Sequence, residues 1–207
     1  MNRAYWWSIA VTAVILLCIL SYIFIDIQVA LWFHTHNNRL AHDLFNVITD
    51  FGESQWYLIA GILLFAVFRK SNPGRAYSGL FLSISVAVSG IGADIFKYLA
   101  GRARPTIYFT EHLYGFNCFH YEYEWTSFPS GHAATAFSAA IVLSTLYPRW
   151  RFLFLLSGAL IAFSRILLTQ HYVSDVIAGS LLGIVSSILL YNLYFKTTLD
   201  VSASRKI

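Results

Sequence analysis

The sequence predicts an all-α integral membrane protein, one domain in which six helices cross the bilayer. Composition is the first reason. Of 207 residues, 57% are hydrophobic and only 12% are charged, about half the charged fraction of a soluble domain. The second reason is distribution: long apolar runs spread over the whole of 1–207, with no internal repeat and no low-complexity tract to divide them. The third is the placement of charge, which falls into two groups once the runs are laid across a membrane.

The first run, residues 6–27, has Arg3 before it and no small-residue cleavage site after it, so a retained helix is expected rather than a removed signal peptide. Residues 28–53 follow. They place Leu40, Leu44, Val47, Ile48 and Phe51 at helical spacing, the pattern of a short amphipathic helix lying in the interface. The second span, 54–68, is short for a hydrocarbon core of about 30 Å and is expected to extend a turn or stand nearly upright. The third, 77–99, is long enough. The longest connection, 101–131, carries Tyr108, Phe109, Tyr114, Phe116, Phe119, Tyr121, Tyr123, Trp125 and Phe128. Such rings suit the headgroup level, and the segment reads either as an aromatic belt or as a lid over a substrate. The fourth span, 132–147, is again short; 152–168 and 175–195 complete the six. Cys18 falls mid-span and Cys118 in an outer loop, which argues against an intramolecular disulfide.

Six spans put both termini on one side, together with the loops around 69–76 and 148–151. That side holds nine of the fourteen basic residues (Arg3, Arg69, Lys70, Arg75, Arg149, Arg151, Lys196, Arg205 and Lys206), while the other holds every acid except Asp200. The positive-inside rule makes the first side cytoplasmic. A multi-pass protein of the cytoplasmic membrane is expected, with both termini inside. Arg39, Lys97, Arg102, Arg104 and Arg165 are left on the outer side, and most of them cluster at span ends where the rule does not place them.

Three blocks on that outer side carry polar residues that an apolar helix has no need of. In "DIFKYLAGRARP", Lys97 and Arg104 are two turns apart and would share a face on a continued helix, although Gly101 and Pro105 are helix-ending residues. An interfacial anchor and a phosphate site fit this block equally. Asp94 could pair with Lys97; Arg102 could touch a headgroup or simply sit in the interface. In "PSGH", Pro129 and Gly131 shape a turn before a helix. The free N–H groups of Ser130 and Gly131 there would suit an anion, with His132 beside it. Ser130 reads equally as a plain helix cap. In "SRILLTQHYVSD", His171 and Asp175 are four apart. A carboxylate behind an imidazole is how a histidine is made a base or a nucleophile, and such a pair can also be purely structural. Arg165, six before His171, is off that helix face and would reach the site from the end of the fifth span.

Together the three blocks supply three cations, two histidines and a carboxylate on one surface. Their order and spacing resemble the type 2 phosphatidic acid phosphatase superfamily (PAP2), whose motifs K-x6-R-P, P-S-G-H and S-R-x5-H-x3-D are matched without a gap by Lys97, Arg104, Pro105; Pro129, Ser130, Gly131, His132; and Ser164, Arg165, His171, Asp175. The resemblance covers nearly the whole chain and implies a six-helix PAP2/haloperoxidase-like bundle. It implies that His171 is the nucleophile, that Asp175 orients it, and that His132 is the general acid and base. Lys97, Arg104, Ser130, Gly131 and Arg165 would bind phosphate. It implies no metal and no other cofactor, so the histidines at 34, 36 and 42 are expected to be incidental. The expected partner is a membrane lipid within the bilayer, not a nucleic acid: polyprenyl diphosphate, phosphatidylglycerophosphate or phosphatidate. The oligomeric state is not readable. A lipid phosphotransferase, for example onto lipid A, would use the same pocket. A vanadate haloperoxidase would share the constellation, but those relatives are soluble. A small transporter or proton relay would also carry intramembrane charge, but here the charges gather at one end of the spans and no span is broken in its middle.

Overall fold

The computed structural model describes residues 3–199, and among these every regular element is a helix. Arg205, Lys206 and Asp200 of the charge argument lie outside the described residues, as does the side chain of Arg3. Helix α1 (Arg3–Phe24) is mostly apolar and leaves Leu16, Leu17, Leu20 and Ile23 exposed, as a lipid-facing helix must. It stops at Phe24 rather than continuing to residue 27. The reason is Asp26, which opens α2 (Asp26–Thr35) and is fully buried. A buried carboxylate needs partners, and reaching them turns the chain.

Helix α3 (Arg39–Asp50) is the amphipathic element expected from its spacing. Asn38 caps it, accepting the N–H groups of Leu40 at 2.9 Å and Ala41 at 3.3 Å. Its Leu40, Leu44 and Val47 point outward while Thr49 is buried, so the apolar face is the one turned away from the bundle. α4 (Ser54–Phe68) follows after a short turn, and α3 and α4 together form one apolar stretch, Arg39–Phe68. α5 (Pro73–Ala100) starts with Asn72 as cap and Pro73 in the first turn, and runs for 28 residues. α6 (Pro105–Glu111) is a short helix in the long connection. α7 (Gly131–Leu146) has 16 residues, about 24 Å of helix. It is apolar but shorter than a full crossing. α8 (Arg151–Leu167) and α9 (Val173–Leu190) complete the set, and α9 continues through a π turn, Tyr191–Phe195. Besides Arg39–Phe68, the stretches Tyr5–Phe24, Pro73–Ala100, Pro148–Leu167 and Val173–Leu199 are long and apolar enough to cross a membrane.

α7 is the central helix, flanked by α5, α8 and α9. It can be central because it is built of small residues: Ala133, Ala134, Ala136, Ala139 and Ala140 are all buried. In lipid, helices associate by close packing rather than by hydrophobic exclusion, so small residues set the interface. α9 answers with Gly179 and Gly183, whose missing side chains make room for the backbone carbonyls of Ser130 and Ala134. Ser138 and Ser187 bond across the same seam at 2.9 Å, a contact worth about 0.6 kcal/mol on average in membrane bundles. The seam fixes the start of α7 against the start of α9. Those two starts carry the site.

Candidate active site

Each of the three motif blocks ends up at one end of the bundle, by a different local device. The first is a helix stop. α5 ends at Ala100, and Gly101 takes the left-handed conformation (φ 57°) with the Asn117 backbone so close that a Cβ would strike it. Residues 102–104 therefore run extended instead of helical, and Lys97 and Arg104 do not share a helix face. The extended run is pinned by the long connection: Asn117 N–H donates to Gly101 O at 2.7 Å, Ala103 N–H to Gly115 O at 3.0 Å, and Ser127 N–H to Arg102 O at 3.0 Å. Arg104 is held by three backbone carbonyls, those of Tyr123 (2.8 Å), Gln170 (3.1 Å) and Thr126 (3.2 Å), with its guanidinium 4.0 Å over the Tyr123 ring. Burial pulls its pKa below the ordinary arginine value. Lys97 pairs with Asp94 at 3.2 Å and brings its Nζ next to Gly131, 3.2 Å from where a Cβ would stand.

The second device is a helix start. The Phe128–Pro129 peptide is cis, and Ser130 is the N-cap of α7, with its own N–H donating to the Asp175 carbonyl at 3.0 Å. Ser130 is thus a cap, and it also belongs to the cluster. His132 sits in the first turn. Gly52, between α3 and α4, lies against its ring, where a Cβ would come within 2.8 Å of Cδ2.

The third is a turn. α8 ends at Leu167, and the N–H groups of Gln170 and His171 both donate to the Arg165 carbonyl, at 3.0 and 3.1 Å. This wraps the chain around the end of α8 and sets His171 beside Arg165, although six residues is the wrong interval for one helical face. Arg165 Nη1 donates to Thr49 Oγ1 of α3 at 2.8 Å, while its buried Nε has no partner. His171 precedes α9 rather than standing on it. The charges of Arg165, Lys97 and Arg104 all reach His132, and those of Arg104 and Arg165 reach His171. The eight residues singled out from sequence therefore converge from five segments.

His171 is buried, and its Nδ1 lies 2.8 Å from the Ser127 carbonyl and 3.8 Å from Asp175 Oδ2. A carbonyl oxygen can only accept, so Nδ1 carries the proton and Nε2 keeps its lone pair. Burial is the main cause that lowers the His171 pKa to about 3, with Asp175 opposing and Arg104 and Arg165 assisting. The ring is neutral at pH 7. Asp175 is too far for a direct hydrogen bond to the ring. Its Oδ2 instead accepts from Ser127 Oγ (2.6 Å) and Tyr172 N–H (2.9 Å), and its Oδ1 takes the Arg102 guanidinium. Asp175 fixes the segment whose carbonyl holds His171, and adds its charge from behind.

Sequence reasoning left Asp26, Thr49 and Ser127 unassigned and read Arg102 as a headgroup or interface residue; the structure places all four against this cluster. Arg102 does not reach the protein surface, where a headgroup could touch it. It is fully buried, its guanidinium 4.7 to 5.4 Å from the rings of Tyr22, Tyr114, Phe116 and Tyr172. Tyr114 and Phe116 of the 101–131 connection thus lie against Arg102 and Tyr123 against Arg104, while Phe119 and Tyr121 are exposed. The one legible signal was the extra arginine, Arg102, in "GRARP". His34 stacks on Phe109 at 4.0 Å and His42 bonds to Asn46 at 3.0 Å. An apolar cavity of about 600 Å³ opens between α1, α5 and α9, lined by Val11, Ile15, Phe96, Ala178, Leu182 and Val185. Phe96 adjoins Lys97, and Phe128 and Pro129, which precede Ser130, also border it.

A helical bundle that gathers three cations around two histidines at its end defines a class, and the sequence comparison falls in the same place. Residues 78–199 match the PAP2 superfamily, and the chain belongs to that family. It is 34% identical over 155 residues to the lipid A 1-phosphatase of Rhizobium etli, covering 68% of this chain and 66% of that protein. It is 27% identical over 191 residues to the undecaprenyl-diphosphatase of Sulfolobus acidocaldarius, covering 88% of each. The chain spans just under two thirds of the length of the lipid A 1-phosphatases it matches. Among solved structures, the PAP2 type phosphatidylglycerolphosphate phosphatase of Bacillus subtilis superposes with a TM-score of 0.67 at 19% identity, over 89% of this chain and 96% of that one. LpxE of Aquifex aeolicus does so with 0.59 at 24% identity, over 81% and 94%. The fold is that of these membrane phosphatases, and the protein is a multi-pass membrane protein.

Proposed function

We propose that the protein is a membrane lipid phosphatase that hydrolyses a lipid phosphate or diphosphate through a phosphohistidine on His171. The observation that carries this reading is the His171 ring: neutral, with Nδ1–H given to the Ser127 carbonyl, so that Nε2 is the free nucleophilic atom. Nε2 forms a bond to phosphorus as the bond from phosphorus to the lipid oxygen breaks, and His132, made cationic once the substrate's phosphate charge offsets the cations around it, gives its proton to that oxygen and becomes neutral. In the second half His132 takes a proton from water, the water oxygen bonds to phosphorus, and the N–P bond breaks to release phosphate. Lys97, Arg104, Arg165, the Ser130 hydroxyl and the Gly131 N–H hold the phosphoryl oxygens while charge shifts among them. The unpartnered Nε of Arg165 is a donor suited to that task. The fixed cations carry the charge, and the reaction needs no metal.

The substrate is a lipid whose hydrocarbon chain lies in the cavity between α1, α5 and α9. Undecaprenyl diphosphate and the 1-phosphate of lipid A are the first candidates, from the names of the relatives, with phosphatidylglycerophosphate and phosphatidate beside them. The site faces the outer side of the cytoplasmic membrane, and both termini lie inside.

The test is inorganic phosphate release by detergent-purified protein in EDTA against these four lipids, with His171→Ala as control. Turnover of at least one, lost in the variant, is the expected result. Turnover that survives His171→Ala, or that requires added metal, overturns the mechanism.

A further inference from the structure

Behind His171 lies a buried charge cluster that the reaction as written does not use. Asp26, Arg102 and Asp175 are each 0 or 1% exposed. Arg102 bridges the two carboxylates: Nη2 donates to Asp26 Oδ2 at 2.8 Å, and Nη1 donates to Asp175 Oδ1. Asp26 is saturated from four directions. Ser21 Oγ (2.8 Å) and the Ser174 N–H (3.0 Å) donate to Oδ1, while the Ser174 hydroxyl and Arg102 donate to Oδ2. Tyr114 OH receives Arg102 Nη2 at 3.0 Å and donates to the Tyr22 carbonyl at 2.7 Å. The partners come from α1, α2, the 101–114 segment and the start of α9, as many as 148 residues apart in sequence.

The charge count is the informative part. Were Arg102 paired with Asp175 alone, the unit behind the histidine would be neutral, and Asp175 would have little charge left to offer. With Asp26 sharing the guanidinium, the cluster carries one net negative charge. When Nε2 bonds to phosphorus the imidazole ring becomes cationic, and a net negative cluster 3.8 Å from Nδ1 favours that state. An anchor for the helices alone would need hydrogen bonds, but not this excess of charge.

We infer that Asp26 and Arg102 are positioning residues for the phosphohistidine step: Asp26 draws off half of the Arg102 guanidinium so that Asp175 keeps its charge toward His171. The inference rests on His171 as the nucleophile. Asp26 does not border the cavity, and Arg102, which does, is fully buried with both Nη atoms on carboxylates.

The test is a double-variant cycle on the full chain in detergent, following ³²P-phosphohistidine formation by rapid quench together with steady-state kcat and KM, on whichever of the four lipids is turned over fastest. Asp26→Asn keeps the shape and removes the charge. It is expected to slow phosphoenzyme formation and kcat by about 10- to 100-fold, the size of loss seen when the outer partner of a metal-bound histidine is removed, with KM changed less than about twofold. In an Asp175→Asn background the same substitution is expected to add less than about twofold, because the path runs through Asp175. Equal slowing in both backgrounds, or a change in KM with kcat intact, overturns the inference. If Asp26→Asn does not fold, Ser174→Ala removes the hydroxyl that donates to Asp26 and accepts from Arg102 Nη1 at 2.6 Å, loosening the hold of Asp26 on the guanidinium while leaving all charges. Its smaller slowing must likewise vanish in the Asp175→Asn background, or the inference fails. A wild-type protein that releases phosphate without any phosphohistidine defeats both this inference and the proposed mechanism, and is recognised because the wild type itself is negative.

Discussion

The identity of His171 as a neutral imidazole has consequences beyond catalysis. Its pKa is lowered to about 3 by burial, against about 6.5 in an unfolded chain. The unfolded state therefore binds a proton that the folded state refuses between these values, and stability is lost as pH falls from about 6.5 toward 3. Replacing His171 with Asn removes this contribution. Thermal unfolding in detergent should show a shallower decline between pH 6.5 and 4 for His171→Asn than for wild type; parallel curves would mean that His171 is solvated. At this scale the eight motif residues were legible because phosphate chemistry demands particular side chains at particular intervals. The residues behind them were not. Arg102 and Asp26 acquire meaning only from each other, 76 positions apart, and Thr49 only from Arg165, 116 positions away. A lone acid at the end of an apolar run gives no sign of which cation it will meet.

At the scale of the element, the apolar periods located the helices well, and the ends were where local chemistry overruled them. α1 stops short because Asp26 must be buried, and α5 stops at Gly101. The interval between Arg165 and His171 is bridged by a turn folded around the Arg165 carbonyl, which no face-counting argument on a straight helix can produce. The cavity between α1, α5 and α9 is likewise a property of how three apolar helices meet, not of any one of them. Its α9 wall includes Ala178, a small residue beside the seam glycine Gly179. Ala178→Phe adds a ring to that space and should shift preference toward lipids with shorter or thinner chains. For long-chain substrates we expect KM to rise several-fold, a missing-contact penalty of about 1 kcal/mol or more in an apolar pocket, with little change for a short-chain soluble analogue. Equal effects on long and short chains would place the hydrocarbon elsewhere.

The whole molecule poses the question of which way it faces, and the charges of the sequence propose an answer that can be checked. The site lies at the end of the bundle that carries Lys97, Arg104 and Arg165, and the loops with Arg69, Lys70, Arg149 and Arg151 lie at the other. The positive-inside rule proposes that the second end is cytoplasmic, which would leave the connection between α6 and α7 outside, on the same face as His171. That connection carries Cys118, a free and exposed thiol, while the other cysteine, Cys18, lies within α1 and is half-buried. The wild-type protein thus contains its own reporter. A membrane-impermeant maleimide applied to intact cells with the outer layers removed should label the wild type and fail to label Cys118→Ser. Labelling that appears only after the membrane is permeabilised would put the site on the cytoplasmic side. The substrate would then have to be a lipid phosphate presented there, because the ammonium and guanidinium groups that bind it are fixed to one end of the bundle and cannot exchange leaflets.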